Sequence, residues 1–227
     1  GLEAYDTTLF GVHMVQHMLL AMVAPVFLAL GAPVTLALRT LPGRPRGVLL
    51  SVLHSRVARV VTFPAVPWVI FIGSPFALYF SGWYPATLDH RWLHDLMHLH
   101  FVLAGSLFFW PIIGVDPVPG RVPHPIRILL LFATMPFHAF LGIAIMGVEG
   151  NGNGLLAPEH YLPLVGRAEA VFQQQVGGGL IWASGDLVGL LFIFVVAVQW
   201  MQASEREAAR EDRRLDRLEA ALDHEAG

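Results

Sequence analysis

Residues 13–34 read HMVQHMLLAMVAPVFLALGAPV, and this stretch decides the class of fold. With the residues just before it, it forms an apolar run from about 9 to 30, close to the roughly 20 residues that one crossing of a bilayer core requires. His13 and His17 interrupt the run. They are four residues apart, so a helix places them on one face, with Met14, Met18 and Met22 in a neighbouring stripe. Imidazole and thioether are copper ligands, and a polar side chain at that depth is costly unless it has a use.

Outward from this stretch, the whole chain has the composition of a membrane protein. Of its 227 residues 55% are hydrophobic and 14% charged, with a mean hydropathy of +0.59; a soluble domain carries roughly 25% charged residues. Four further runs reach spanning length, at about 60–80, 95–114, 127–147 and 179–201. Pro25, Pro64, Pro67, Pro75, Pro111 and Pro136 punctuate them, which membrane helices tolerate where neighbours satisfy the freed carbonyls. The expected fold is therefore all-α, a polytopic transmembrane helix bundle of about five spans over 1–201. A charged helical tail follows over 202–227. Segment 47–59 is too short and too basic to span, and reads as an amphipathic helix lying in the interface. Residue 1 is Gly, so the chain reads as a processed or trimmed product. No basic region precedes the first span, which argues against a signal peptide.

The chain has no cysteine, which excludes disulfides and thiolate metal sites. All 14 basic residues are arginine, and their placement gives an orientation. Twelve fall in the connections 31–59 and 115–127 and in the tail, including Arg121 and Arg127; only Arg91 and Arg167 fall in 81–94 and 148–178. The positive-inside rule then puts the N-terminus outside and the tail in the cytoplasm. Topology accounts for the basic residues, so they do not point to nucleic acid. Phosphate-binding loops, dinucleotide fingerprints and nucleophile elbows have no counterpart here, and the chain reads as a non-enzyme. In the tail, Leu215, Leu218 and Leu222 recur at helical spacing, which fits a solvated helix or a short coiled-coil contact, including self-association. The Gly- and Pro-rich stretch 148–170 reads as a flexible outer loop or lid.

With that orientation, distant stretches bring polar side chains to one depth. His94 and His98 repeat the four-residue spacing of His13 and His17 at the start of the third span. His138 falls near the midplane of the fourth span, with Gly142 leaving room beside its imidazole. Gln174, Gln175, Trp182 and Asp186 occupy the outer half of the fifth, where Gly177 to Gly179 permit close helix approach. The candidate metal ligands are His13, His17, His94, His98, Met14, Met18 and His138. Asp95, Gln175, Trp182 and Asp186 are candidates for orienting the imidazoles. Glu159 and His160 are candidates for capping the site, and His100 points away from His98. Each candidate has a structural alternative: interhelical hydrogen bonding for a histidine, gap filling for a methionine.

The runs HMVQHMLLAMVAPVFLALGAPV (13–34), HDLMHLHFVLAGSLFFWPIIGVDPVP (94–119) and QQQVGGGLIWASGD (173–186) resemble the CtaG-type cytochrome c oxidase assembly proteins of bacteria. The likeness covers about 10–200, in the family's order. It implies a multi-pass protein of the bacterial cell membrane that helps produce active cytochrome c oxidase, with oxidase subunits and membrane lipid as partners and copper delivery as its role. Two departures stand out. Members usually open the third motif with Asp, where this chain has Gln173, and they tend to have more than five spans.

Residue chemistry and resemblance together lead to Cu(I), or Cu(II), held near the outer face with His17 and His98 as primary ligands. A haem protein with one axial imidazole from each of two helices is the alternative cofactor reading. A transporter or proton path through Asp95, Asp186 and His138, and a scaffold whose histidines only join helices, are further readings.

Overall fold

A computed structural model describes residues 2–117, 119, 122–147 and 154–226, with side chains given at all of these but 3 and 221–226. Arg121, residues 148–153 of the expected lid, and the side chains of Leu222 and His224 therefore lie outside the described residues. Among the described residues every regular element is helical.

The first span begins as α1 (Phe10–Met18) and continues through a π-helical stretch, Leu19–Val23, into α2 (Ala24–Leu30). The cause is Pro25. It has no N–H to give to the Ala21 carbonyl, and the turn before it widens so that the Ala24 N–H reaches Leu19 O. Ala32, at φ 46°, breaks the helix before α3 (Pro33–Thr40). The expected single interfacial helix at 47–59 is two helices, α4 (Gly43–Leu53) and α5 (Arg56–Val61). Ser55 separates them, its hydroxyl accepting the Ala58 N–H as an N-cap.

The second expected span is α6 (Ala65–Tyr79), whose 15 residues reach about 22 Å, short of a 30 Å core. It bends by 72° into α7 (Trp83–Asp89), and the bend sets Tyr79 and Tyr84 over the polar layer. Next come α8 (Arg91–Ile113), α9 (His124–Met146) and α10 (Pro158–Ala226). Among the described residues four helices are long and apolar enough to cross a membrane, or five if the bent pair counts as one span.

Residues 158–170 of the expected loop are helical. Leu155, Leu156 and Ala157 are buried, and α10 already starts at Pro158, broken at Gly166 (φ 76°, ψ 168°), a conformation that favours glycine. Buried Gln174 clamps this stretch. Its Oε1 accepts the Leu156 N–H at 2.7 Å, and its Nε2 donates to Ile145 O at 2.9 Å and Gly154 O at 3.0 Å.

Polarity is distributed as a membrane interior demands. Phe27, Phe132, Phe140, Leu187 and Phe194 face outward, while His13, His17, His94, His138 and Gln174 are buried. Small residues let the backbones meet. A Cβ on Gly142 would lie 2.5 Å from Gly178 O, so this glycine makes room for α10 and not for an imidazole. Beside His138 the room comes from Gly185, where a Cβ would meet the ring at 2.6 Å. A Cβ on Gly105 of α8 would collide with Ala21 O and would come within 2.7 Å of Pro25 Cγ. At the other end of α8, buried Asp116 accepts the Val34 and Thr35 N–H groups at 3.1 and 2.8 Å, capping α3. Arg127 donates to Val122 O and Ile112 O there.

Candidate metal centre

The opening stretch and α8 run side by side in the same direction, and their histidines pair in register. The ring centroids of His13 and His94 are 5.5 Å apart, and those of His17 and His98 are 5.6 Å apart. Along each helix the spacing is 3.9 Å for His13–His17 and 4.4 Å for His94–His98. Four imidazoles thus form one compact layer. Phe10 and Tyr84 pack on His13, and Phe101 packs on His17. His13 is 0% exposed, His17 1% and His94 6%.

Their hydrogen bonds leave several ring nitrogens without a partner among the described residues. The Tyr79 hydroxyl lies 2.6 Å from His17 Nδ1 and 3.5 Å from Met14 Sδ, hydrogen-bonded to both groups. His17 Nε2 has no hydrogen-bond partner among the described residues. His94 Nε2 donates to Asp6 Oδ2 at 3.0 Å, and its Nδ1 has no hydrogen-bond partner among the described residues. Both ring nitrogens of His13 are buried without a hydrogen-bond partner among the described residues. Leaving a buried polar group unpaired costs about 1–3 kcal/mol, and a coordinated cation would satisfy several of these nitrogens at once.

Asp6 is the residue that sequence reasoning missed. It is 2% exposed, lies in the turn before α1, and groups with His94 and His98 so that their ligand atoms are all within 4.8 Å of one another. Next to it, Thr7 O accepts from His160 Nε2 at 2.7 Å, which ties the start of α10 over the layer. Tyr84 and Tyr161 share a 2.6 Å hydrogen bond in the same roof. Beyond Tyr79 and Tyr84, which form its inner wall, lies a cleft of about 1010 Å³ that Glu159 and His160 also line. The only sequence signal for Asp6 is a carboxylate in the first turns before a histidine-bearing span.

Residues 1–203 match the family described as cytochrome c oxidase caa3 assembly factor. The chain belongs to this family. Uncharacterized proteins of Mycobacterium bovis and Mycobacterium tuberculosis are each 42% identical to it over 223 residues, and one of Mycobacterium leprae is 40% identical over 224. These matches take in 95% of the chain but 33–34% of the relatives, so the chain spans about a third of their length. No solved structure matches it.

In this member of the family, several expected contributors lie away from the layer. Asp95 is exposed, because it follows His94 on α8 and so points roughly 100° from it; Asp6 contacts His94 in its place. Gln175 is exposed and donates to Met146 O. Trp182, 44% exposed, donates to Asp186 Oδ2 at 2.8 Å, a pairing within α10 that orients no imidazole of the layer. His138 donates from Nδ1 to Thr134 O at 3.0 Å. It does not join the four rings but faces a cavity of about 20 Å³ that His17 and Met18 also line. That volume is about one water. Met14 meets the layer through Tyr79, and Met18 only through this cavity. His100 is exposed, beside Phe101. Gln173, where members usually carry Asp, accepts the Gly11 N–H at 3.1 Å through Oε1. An amide oxygen here serves the free N–H groups at the start of α1, as a carboxylate would.

Proposed function

We propose that this protein binds copper as Cu(I) among His13, His17, His94 and His98 and passes it to a cytochrome c oxidase subunit during assembly. The observation that carries this reading is the buried layer itself. Four imidazoles lie with neighbouring centroids 3.9–5.6 Å apart, and His13 finds no hydrogen-bond partner for either nitrogen among the described residues. A helix-joining scaffold would pair such groups, since interhelical hydrogen bonds are what histidines offer in a membrane. Neutral imidazoles with a thioether nearby suit a monovalent soft ion in a medium of low dielectric. The close packing of the rings on one another and on Phe10, Tyr84 and Phe101 supports an ion over haem.

The family supplies the destination. Membership among caa3 oxidase assembly factors supports an oxidase subunit as recipient, and the arginine distribution supports a site toward the outer face of the cell membrane with the tail in the cytoplasm. His17→Ala and His98→Ala, singly and together, test the reading in the host. The protein is expected to stay inserted while oxidase activity per assembled subunit falls, with partial recovery on added copper, because mass action offsets a weakened site. Normal oxidase activity in the double variant would contradict the proposal. Loss of the protein itself would favour the scaffold.

A further inference from the structure

The layer is chemically lopsided. At the α1 edge stand His13 and His17, with Met14 behind them through Tyr79, and no carboxylate takes part. At the α8 edge, Asp6 closes on His94. Asp6, His94 and His98 can each offer one ligand atom, and these atoms lie within 4.8 Å of one another. A tetrahedral ion with bonds of 2.0–2.1 Å needs donors about 3.4 Å apart, so small side-chain movements would complete the triad.

Burial sharpens the difference. Asp6 is 2% exposed, and its ion-pair partner is an imidazole, which is charged only when protonated. A buried carboxylate needs a compensating charge. A divalent cation between Asp6 and His94 would supply it, taking the place of the proton they now share. The α1 edge has no such need, and its neutral donors match a monovalent ion.

We propose that Asp6, His94 and His98 form a second, divalent-cation site at the α8 edge of the layer, selective for borderline ions such as Zn²⁺, Co²⁺ and Cu²⁺. It shares the pocket with the Cu(I) site and rests on the reading of that pocket as a metal centre. His94 and His98 belong to both donor sets, so a divalent ion competes with Cu(I) and need not bind beside it. Asp6 belongs to the divalent set alone, and His13 to the monovalent set.

The test uses the full chain in detergent or nanodiscs, titrated separately with Co²⁺ or Zn²⁺ and with Ag⁺ as the monovalent probe. Asp6→Asn removes a ligand of the divalent set but only the hydrogen-bond partner of His94 in the monovalent set, so it is expected to weaken divalent binding at least tenfold more than it weakens Ag⁺ binding. His13→Ala is expected to do the reverse. Cu²⁺ loaded into the wild-type chain should show coupling to two imidazole nitrogens by electron paramagnetic resonance, a result that does not depend on how any variant folds. Four coupled nitrogens, or equal losses for both ion classes in Asp6→Asn, would overturn the second site and leave the Cu(I) reading standing. Ag⁺ failing to bind the wild-type chain would instead overturn the Cu(I) reading. Binding of neither class would end both.

Discussion

Gly105→Ala tests whether helix packing sets the metal geometry. The added Cβ would come within 2.7 Å of Pro25 Cγ and 2.9 Å of the Ala21 carbonyl carbon, where carbon atoms normally sit about 3.5–4.0 Å apart. The opening span and α8 must therefore separate by about 1 Å. Ala21 lies one turn past His17 and Gly105 two turns past His98, so the separation reaches the layer. Overpacking of this kind costs about 1–3 kcal/mol, and a displaced ligand support typically costs 10- to 100-fold in metal affinity. The predicted outcome is a chain that inserts, melts at lower temperature, and binds Cu(I) at least tenfold more weakly in chelator competition. Gly73→Ala is the control, since a Cβ there meets nothing within 4 Å; a helical Gly→Ala change in open space is neutral or mildly stabilising. A Gly105→Ala chain with the wild-type Cu(I) affinity, or an equal loss in Gly73→Ala, would refute the coupling.

Three other predictions bear on separate parts of the account. Tyr79→Phe removes the hydroxyl between His17 and Met14 and is expected to weaken Cu(I) binding about three- to tenfold, near 1 kcal/mol, with the helical content by circular dichroism unchanged. Asp116→Ala removes two accepted N–H groups at α3 and should lower stability by about 1–2 kcal/mol without altering metal affinity, checked by thermal unfolding and Cu(I) competition. Single cysteines at Ser81 and Ser204, in a chain that has none, should react with an impermeant thiol reagent in intact cells at 81 only; labelling at 204 alone would reverse the proposed orientation.

The spans were readable because hydropathy and length are local properties of a sequence, and His13, His17, His94 and His98 were readable because a four-residue spacing survives any helical packing. What was hidden depended on turns and bends. Asp6 reaches His94 across 88 residues of chain, from a turn that carries no periodic signal. Tyr79 reaches His17 only because α6 ends where the 72° bend begins. The π-helical stretch at Leu19–Val23 breaks the α-helical register between Met18, the last residue of α1, and Met22, so the methionine stripe is not continuous. Asp95 and Trp182 misled for a related reason: a polar residue near a site in sequence can face the opposite way around its helix.

Copper content is the most direct test of the central claim. The chain, purified in detergent from copper-replete cells, should carry close to one copper per molecule by elemental analysis and show no Soret band, and a chain with both His17→Ala and His98→Ala should carry almost none. Equal copper in the two preparations, or a haem spectrum in the wild-type chain, would contradict the account.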